Sequence, residues 1–540
     1  MSYTIGKDTS GSKSSPDPAS HSTPYLTVFG NSDLPSQHRG EHTHQRLYVA
    51  LVLLVALLLR LYHLSSQSIW VDEMLTLFWS GFTAPLTAID IFGNLHGPLH
   101  TILVFLWTRL AGESEFALRF PSVVFSVLSL IAIYRLTLKL SDSRTALIAM
   151  AVIAFSPFHI WYAQEARNYS MLLFFSTLSF ESFLSLLSQP DRNNFGKYVL
   201  LTFAAFLSNM SMAFVVIVQD IFFFVSPRRL SFRSLFMAHI LLALLLLPWL
   251  IGMYQRVEFH RLARTTPYAE SEFLRGGGTT FTPFALPYTF FVFSVGYSLG
   301  PSLRELHESA RLASFARYAP VLVPTAIAFA LAFLLGIISF RNRRRLLFLL
   351  LLWIALPLAI LSFFGVKNFK PFNPRYLMVS YPAYVLLLAE GLRHRRPAFL
   401  RLGLGALILV TMFLSLWNYY NVTKYAKDDF RSAARTLETE FVQGDALFTE
   451  GTYEPLIYYG RRTTKPITFL PLYPTVIADD SRLESYVLEK SREANRIWLI
   501  TSRLWNVDPE MRVPALFRRL FVTEREFHYE GVDLLLLSRR

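Results

Sequence analysis

Long apolar runs, separated by short polar or basic segments, recur along most of this chain. An apolar helix of about 20 residues is long enough to cross the hydrocarbon core of a bilayer. We therefore predict about eleven transmembrane helices, at 47–64, 120–138, 145–163, 169–188, 198–208, 212–225, 235–254, 319–340, 346–364, 376–392 and 402–420. This pattern is typical of an α-helical polytopic membrane protein.

The apolar run 98–112 is treated separately, because counting it as a span would reverse the side of every later segment. At about 1.5 Å per residue it reaches roughly 22 Å, less than the roughly 30 Å core, and it carries Arg109 near its end. Without it, the basic loops all fall on one side of the membrane: 135–144, 192–197, 228–233, 341–345 and 393–401. The positive-inside rule identifies that side as cytoplasmic. We therefore expect a re-entrant or surface-lying helix within a long first exterior loop, about 65–118.

The two ends of the chain differ from this apolar middle. Residues 1–45 are rich in Ser, Pro, Gly and His without apolar periodicity, which predicts a disordered cytoplasmic tail. Residues 421–540 combine an amphipathic helical pattern at 428–441 with the strand-like segments DALFTE, RIWLIT and VDLLLLS. We predict a small soluble α/β domain there, outside the cytoplasm, following a transmembrane domain at 46–420.

Composition and charge agree with this picture. The chain is 53% apolar and 17% charged, whereas soluble proteins carry about 25% charged residues. The absence of cysteine excludes thiolate catalysis and cysteine-ligated metal. A net charge of +14 would suit nucleic acid, but the predicted cytoplasmic loops account for all of it. We therefore predict the bilayer as a partner and no binding of nucleic acid.

Two adjacent carboxylates, Asp72 and Glu73, closely follow the first span and lie in the predicted exterior loop. A carboxylate near the membrane face can act as a general base or as part of a metal site. Neighbours on a helix point about 100° apart, so only one of the two can address a given reacting atom. The alternative is that acidic residues at an interface simply end a helix in water.

A second candidate is the tight turn between the predicted spans 145–163 and 169–188, which contains Glu165 and Arg167. A charged side chain at bilayer depth costs about 2.5 to 3.5 kcal/mol on insertion scales. We therefore expect both groups to face protein or a water-filled cavity. The alternative is a mutual ion pair that only shapes the turn.

Three cations, Lys367, Lys370 and Arg375, lie in one exterior segment, VKNFKPFNPR, which has no acidic residue. Positive charge on the exterior runs against the positive-inside trend, which disfavours a topological role. A cationic cluster at the membrane edge suits the phosphate of a lipid-linked substrate. The alternative is attraction to ordinary anionic lipid head groups.

Two acidic sites and one basic cluster thus fall on the exterior face of the predicted topology. This combination suits transfer of a group from a lipid phosphate to a hydroxyl. In such a reaction a carboxylate takes the acceptor proton, while cations or a metal stabilise the departing phosphate.

Five segments resemble a known family. In chain order they are SIWVDEMLTLFW, NLHGPLHTILVFLW, GESEFALRFPSVVF, SPFHIWYAQEARNYSMLL and NPRYLMVSYPAYVLLLAEGL. They are similar to bacterial membrane glycosyltransferases of the dolichyl-phosphate-mannose protein mannosyltransferase and aminoarabinose transferase type, which have the glycosyltransferase C fold. The resemblance covers residues 47–420 and is specific for the superfamily, not for the substrate. It implies a polyprenyl-phosphate sugar as donor.

The resemblance also implies roles for single residues. The family's catalytic acidic residue in the first exterior loop matches Asp72, with Glu73 beside it, and an acidic residue that binds metal or donor in the second loop matches Glu165. The family's His-Pro-Pro-Leu-Tyr motif appears here as the segment HGPLH, which begins at His96. The predicted catalytic set is Asp72, Glu73 and Glu165. The predicted substrate-binding set is His96, Arg167, Tyr169, Lys367, Lys370, Arg375 and Tyr376.

The main hypothesis is an inverting glycosyltransferase of the bacterial inner membrane that moves one sugar from a polyprenyl phosphate to an exterior lipid, polysaccharide or protein. A transporter or flippase of lipid-linked sugars would also need many spans and intramembrane charges, and a non-catalytic scaffold is the third class. The clustering of charges on one face and the sizeable exterior domain disfavour transport. Metal use varies within the superfamily, so a divalent metal ion is left open, with Asp72 and Glu165 as its predicted ligands.

Overall fold

A computed structural model describes residues 42–81, 91–94, 97–226, 229–262, 281–308, 311–367, 369, 372–393, 397–461, 467–472, 474–477 and 479–540. The predicted cytoplasmic tail lies outside the described residues, apart from 42–45, where the first helix already begins.

Helices make up most of the described membrane domain. In chain order they are α1 (His42–Leu61), α2 (Val71–Trp79), α3 (Pro98–Ala111), α4 (Glu115–Leu140), α5 (Ser143–Phe155), α6 (Pro157–Ala163), α7 (Tyr169–Ser188), α8 (Arg192–Ser208), α9 (Met212–Val225), α10 (Phe232–Leu262), α11 (Ala285–Val295), α12 (Leu303–Glu308), α13 (Arg311–Ser339), α14 (Arg344–Val366), α15 (Tyr381–Arg393) and α16 (Ala398–Asn421). A 3₁₀ segment, Pro374–Ser380, directly precedes α15.

Within the described ranges, seven helices are long and apolar enough to cross a membrane: α1, α4, α7, α10, α13, α14 and α16. Helices α5 and α6 pass the same criterion as a pair and make an eighth span that is bent by 59°. The predicted spans 198–208, 212–225 and 376–392 correspond to the shorter helices α8, α9 and α15. The fold class is confirmed, whereas the count of about eleven spans stays a prediction.

The bend between α5 and α6 has a local cause in the sequence. Pro157 has no backbone N–H with which to continue the hydrogen bonds of α5. The hydroxyl of Ser156 accepts the backbone N–H of His159 at 3.0 Å, which caps the start of α6. The chain therefore changes direction just before the turn 164–168.

Helix α1 presents a stripe of large apolar side chains on its outer surface. Leu51, Leu54 and Leu58 are 54%, 53% and 57% exposed, at helical spacing on one face. A continuous apolar surface of this kind requires a cover other than water. Lipid provides that cover, in agreement with the length of the helix.

The apolar run 98–112 forms α3, a helix of 14 residues. At about 1.5 Å per residue it is roughly 21 Å long, shorter than a bilayer core. Its residues Pro98, His100 and Val104 are buried, and it packs against α2, α4 and α8. Its length agrees with the predicted helix that does not span the membrane.

The C-terminal part is an α/β domain with one five-stranded sheet. Its strands are β1 (Ala446–Glu450), β2 (Phe469–Pro471), β3 (Ile497–Ser502), β4 (Phe521–Tyr529) and β5 (Val532–Arg539). They lie in the order β2-β1-β3-β5-β4, with β1 parallel to β2 and β3, and β5 antiparallel to β3 and β4. The helices are α17 (Phe430–Glu440), α18 (Glu454–Gly460), α19 (Pro474–Ile477), α20 (Asp480–Ser491), α21 (Leu504–Val507) and α22 (Arg512–Leu520). The three predicted strands correspond to β1, β3 and β5.

The C-terminal domain packs directly on the loop that follows α1. Met74 and Leu77 of α2 share one buried hydrophobic cluster with Trp498 of β3. The guanidinium of Arg431 donates to the three consecutive main-chain carbonyls of residues 65–67. These contacts fix the domain over one end of the helix bundle.

Three of the basic loops, 135–144, 341–345 and 393–401, meet at the other end of the bundle. Arg393 pairs with Asp142 at 3.1 Å, and Arg343 donates to the carbonyl oxygen of Leu140 at 3.5 Å. Helix α4 ends at Leu140, whereas Glu115, its first residue, contacts the C-terminal domain. A helix of 26 residues is about 39 Å long. The basic loops and the C-terminal domain therefore lie at opposite ends of the bundle. The predicted topology requires this separation.

Helices α13 and α15 cross with their backbones in direct contact at two glycines. A Cβ atom added at Gly391 would overlap the carbonyl oxygen of Ala332, and one added at Gly336 would overlap that of Leu387. We expect Gly391→Ala to lower the free energy of unfolding by about 1 to 3 kcal/mol, because packed backbones cannot move apart freely. The measurement is the melting temperature in detergent. Gly403→Ala is the matched control, since nothing lies within 4 Å of the added carbon, and equal melting temperatures would contradict this packing.

Candidate active site

Asp72 lies in the first turn of α2, which starts directly after Trp70. A carboxylate is favoured there because the free amide groups of a first helical turn carry partial positive charge. Its Oδ2 pairs with Nη1 of Arg375, and the two side chains are 15% and 19% exposed. Burial raises the pKa of Asp72, but the guanidinium groups of Arg375 and Arg167 outweigh it and lower the pKa to about 2. Asp72 is therefore ionised at neutral pH in this pairing.

Arg375 reaches Asp72 from the 3₁₀ segment in front of α15. The side-chain oxygen of Asn373 accepts the backbone N–H of Arg375 at 3.1 Å and shapes the start of this segment. The guanidinium carbon lies 5.8 Å from the ring centre of Tyr169 and 5.3 Å from that of Tyr376, within cation–π range. The structure thus brings four predicted site residues together around one ion pair.

Glu73, one residue further along α2, belongs to a closed and buried ion pair. Its two carboxylate oxygens each accept from the guanidinium of Arg119 at 2.8 Å, and Oε1 also accepts the backbone N–H of Ala166 at 2.9 Å. Burial raises the pKa of Glu73, but Arg119 and Lys427 lower it to about 2. The carboxylate has no exposed surface. The predicted catalytic role of Glu73 does not fit this placement, which instead makes it an anchor for α2.

Glu165 lies in the turn 164–168 and is fully buried. The Nζ atom of Lys427 lies 3.4 Å from its Oε1, and within the described part of the chain neither carboxylate oxygen accepts a hydrogen bond. Burial raises the pKa of Glu165, and Lys427 opposes this while Glu73 and Asp72 add to it, so that the pKa stays above its usual value. The charge of Glu165 therefore depends strongly on one lysine.

Arg167 contacts α2 and does not pair with Glu165. Its Nη1 donates to the main-chain carbonyl of Asp72 at 3.0 Å and to the hydroxyl of Thr76 at 3.2 Å. The alternative of a mutual ion pair within the turn is therefore wrong. Arg167 holds the first turn of α2 in place and adds positive charge beside the Asp72 carboxylate.

Three residues of the predicted substrate-binding set are not placed in this cluster. Lys367 is exposed at the end of α14. His96 and Lys370 lie outside the described residues. The predicted roles of His96 and Lys370 stay predictions. Lys367 is not among the described residues that line the cavity described in the next paragraph.

A cavity of about 670 Å³ lies between the membrane helices and the C-terminal domain. Asp72 and Arg375 line it on the membrane side, and residues 501–505 line it on the side of the domain. Its wall includes the aromatic residues Trp70, Trp161, Tyr297, Tyr425 and Trp505. It also includes the cations Arg304, Arg375, Lys424, Lys427 and Arg503. Five acidic residues line the same cavity, Asp72, Asp428, Asp508, Glu530 and Asp533, so its charge is mixed. Pockets of about 300 to 1,000 Å³ suit small ligands, and the aromatic side chains offer a surface for an apolar ring face.

The sequence analysis missed two residues of the site, Lys427 and Arg119. Lys427 follows the last span in a segment without apolar periodicity, yet its Nζ lies 5.5 Å and 5.8 Å from the ring centres of Trp70 and Trp161. Nothing in its local sequence marks it as part of a site. Arg119 lies one residue before the predicted span 120–138 but inside α4, and a charge so close to an apolar run was a usable signal.

The two predicted metal-binding carboxylates do not form a metal site in this arrangement. Asp72 is paired with Arg375, and the Glu165 carboxylate faces the ammonium group of Lys427. Among the residues that the structure describes, no three His, Asp or Glu side chains converge in a way that could hold a metal ion. Because a cation occupies the side of each carboxylate, the described residues do not fit the metal ligand set of Asp72 and Glu165.

Part of the chain matches a known family model. Residues 95–251 match the family described as dolichyl-phosphate-mannose-protein mannosyltransferase. The match covers less than a third of the chain and includes Glu165, Arg167 and Tyr169. No curated protein sequence matches this chain.

Solved structures are similar to this chain over most of its length. ArnT from Cupriavidus metallidurans in the apo state has a TM-score of 0.54 at 13% identity, covering 92% of this chain and 98% of ArnT. The form bound to undecaprenyl phosphate gives 0.54 and 13%, with 91% and 98% covered. The archaeal oligosaccharyltransferase AglB from Archaeoglobus fulgidus, in complex with an inhibitory peptide and a dolichol-phosphate, gives 0.51 and 10%, with 92% and 74% covered. The chain is therefore a multi-pass membrane protein with the overall fold of ArnT, and its residues 95–251 are similar to the protein mannosyltransferase family.

Proposed function

We propose that this protein is a membrane glycosyltransferase that moves one sugar from a polyprenyl-phosphate-linked donor to a hydroxyl acceptor outside the cytoplasm. The observation that carries the proposal is the ion pair of Asp72 and Arg375, a base and a phosphate ligand side by side in the wall of one cavity. Two proteins of similar fold support the choice of donor, since ArnT binds undecaprenyl phosphate and AglB binds a dolichol-phosphate.

This ion pair supplies the two groups that sugar transfer from a phosphate needs. The acceptor oxygen forms a bond to the anomeric carbon while the bond from that carbon to the phosphate oxygen breaks. The hydroxyl proton passes to the carboxylate of Asp72. The bonding electrons leave with the polyprenyl phosphate, and the guanidinium of Arg375 stabilises its added negative charge. Attack on the side opposite the phosphate inverts the anomeric configuration, so we propose an inverting reaction.

Donor phosphate and Asp72 compete for the same guanidinium. While Arg375 is paired with Asp72, the pKa of the carboxylate is about 2, which makes it a weak base at neutral pH. When the donor phosphate draws Arg375 away, Asp72 loses its paired cation. The burial of the Asp72 carboxylate then raises its pKa. Donor binding therefore prepares the base for the acceptor proton.

We propose that the transfer site faces the exterior of the bacterial inner membrane. The basic loops around Arg393 and Arg343 gather at one end of the bundle, and the cavity lies at the other. The positive-inside rule makes the basic end cytoplasmic. The acceptor is then an envelope lipid, polysaccharide or protein, and the C-terminal domain is extracytoplasmic.

Arg375→Ala tests the phosphate site. We expect the donor KM to rise about 10- to 100-fold, because charge-assisted hydrogen bonds worth about 1.5 to 3 kcal/mol are lost, while the acceptor KM changes little. The measurement is the initial transfer rate of purified protein in proteoliposomes, with each substrate varied in turn. Arg401→Ala removes an exposed cation from the basic end and is the matched control. An unchanged donor KM in the Arg375→Ala protein would remove this residue from the phosphate site.

A further inference from the structure

The C-terminal domain turns the ends of two parallel strands toward the cavity. Strands β1 and β3 are parallel neighbours that end at Glu450 and Ser502. The lining residues that follow β3, within 501–511, and those of the β4–β5 turn, within 530–533, form the domain wall of the cavity. In open α/β sheets, ligands bind in the crevice outside the carboxyl ends of parallel strands. The domain wall therefore has the position of a ligand site.

The segment 503–511 of this wall is bounded by two residues with left-handed backbone. Arg503 has a φ of 52° and Met511 has a φ of 57°. Residues with side chains rarely adopt this conformation, and it persists where the surrounding contacts enforce it. The guanidinium of Arg503 pairs with Asp428 at 2.8 Å, and its carbon lies 5.3 Å from the ring centre of Trp70. These contacts fix the segment against the loop that leads into α2 and Asp72.

A buried pair of carboxyl groups lies in this part of the domain. Asp508 lines the cavity, is 3% exposed, and accepts the backbone N–H of Val513 at 2.8 Å. Glu450 is 1% exposed and faces Asp508, and its oxygens have no other hydrogen-bond partner among the described residues. Burial and the neighbouring Asp508 raise the pKa of Glu450 to about 9. No Lys, Arg or His of the described ranges forms a direct ion pair with either group.

This pair favours a ligand that donates hydrogen bonds. An ionised carboxylate only accepts them, and a buried charge without a cation is stabilised by donors. The hydroxyl groups of a sugar are such donors, whereas an ionised phosphate offers only acceptor oxygens. Trp505 lines the same wall and offers a flat apolar surface to the C–H face of a sugar ring. The domain wall thus combines the two kinds of contact that a carbohydrate needs.

The same wall is less suited to an anionic lipid or to a peptide. It contains the carboxylates Asp508, Glu530 and Asp533, and its one guanidinium, that of Arg503, is already paired with Asp428. These carboxylates repel a phosphate. An extended peptide is commonly recognised at a free sheet edge, but no described residue of the edge strands β2 and β4 lines the cavity.

We propose that the domain wall is the acceptor subsite of the transfer reaction, and that the acceptor is a carbohydrate whose ring packs on Trp505 and whose hydroxyl groups donate to Asp508. The inference rests on the proposed function, because it names the acceptor class of that reaction. It divides the work between the two parts of the chain. The membrane domain holds the donor phosphate and the base, and the C-terminal domain selects the acceptor.

The chemical group that receives the sugar tests the acceptor class. Purified full-length protein in proteoliposomes is given a panel of polyprenyl phosphates, each with a labelled sugar, and envelope material of the native organism as acceptor. The labelled product is digested, and mass spectrometry identifies the group that carries the label. We expect the hydroxyl of a sugar residue. Attachment to a serine or threonine side chain, or to a phosphate group, would overturn the proposal.

Asp508→Asn and Trp505→Ala test the two contacts. We expect the apparent KM for the envelope acceptor to rise about 10-fold or more in each variant, because a charged hydrogen-bond acceptor or an aromatic surface is lost. The donor KM should change less than about 3-fold. Each substrate is varied in turn while the other is saturating. An unchanged acceptor KM, an equal rise in both KM values, or a lower melting temperature as the only change would overturn the proposal.

Two variants away from the cavity serve as controls. Asp479→Asn makes the same change at an exposed helix cap, where asparagine serves about as well. Trp417→Ala removes a tryptophan of α16 that is 56% exposed. Both should match the wild type in both KM values. Trp505 is only partly buried, so Trp505→Ala keeps the test decisive if Asp508→Asn does not fold.

The two possible failures are distinguishable. A wild-type protein that transfers no sugar from any polyprenyl-phosphate donor would overturn the proposed function. Transfer to a protein or to a phosphate group would leave that function in place and overturn only the carbohydrate acceptor.

Discussion

Asp72→Asn is expected to abolish sugar transfer. The substitution keeps the size of the side chain and its place in the first turn of α2, but it removes the group that takes the acceptor proton. Loss of a general base costs about 10²- to 10⁴-fold in rate, so the residual rate should fall to about 1% of wild type or less. The measurement is the initial rate of transfer in proteoliposomes at saturating donor and acceptor.

Asp191→Asn makes the same chemical change at the other end of the bundle. The carboxylate of Asp191 accepts the backbone N–H of Asn194 at the start of α8. Asparagine caps a helix about as well as aspartate, so this variant should transfer sugar at the wild-type rate. Full activity in an Asp72→Asn protein with an unchanged melting temperature would contradict the assignment of the base.

Arg119→Met is expected to have the largest effect on stability. Arg119 is 1% exposed and donates to both carboxylate oxygens of Glu73 and to main-chain carbonyls within the loop 64–68. Its loss leaves a buried carboxylate with one cation, Lys427, at 3.9 Å. Removing one partner of a buried ion pair costs about 3 to 5 kcal/mol. We expect a large fall in melting temperature in detergent, or a failure to accumulate folded protein.

An exposed ion pair provides the comparison for this variant. Arg518 pairs with Glu526 on the C-terminal domain, where the two side chains are 50% and 34% exposed. Exposed pairs contribute about 0 to 1 kcal/mol, so Arg518→Met should melt close to the wild type. Equal melting temperatures for Arg119→Met and Arg518→Met would contradict the role of the buried pair in holding the loop and α2 together.

The membrane helices and the main strands could be predicted because their patterns are local. The predicted span 169–188 has the same bounds as α7, and DALFTE contains β1. Breaks within an apolar run, and short helices between the spans, were harder to predict. The run 145–163 is one apolar stretch but forms two helices bent at Pro157. The segment between the predicted spans 235–254 and 319–340 contains α11, whose 11 apolar-rich residues are too few to resemble a span.

Part of the site could be predicted one residue at a time, but the pairings between its residues could not. Asp72 and Arg375 were found from their charge and position, yet their contact joins residues 303 positions apart. Asp72 and Glu73 are neighbouring carboxylates on α2. Their side chains leave the helix in directions that are about 100° apart. Which of the two faces the cavity depends on where Arg119 packs. Lys427 has no local signal, because its contacts with Glu73 and Glu165 join segments that are far apart in the sequence.

The most direct test of the proposed function uses purified wild-type protein in proteoliposomes, a polyprenyl phosphate that carries a labelled sugar, and a hydroxyl acceptor. The fate of the label and of the lipid is followed by mass spectrometry. We predict that the labelled sugar becomes covalently bound to the acceptor, with one polyprenyl phosphate released for each sugar transferred. Movement of the intact lipid-linked sugar across the bilayer, without release of polyprenyl phosphate, would contradict this function and identify the protein as a transporter.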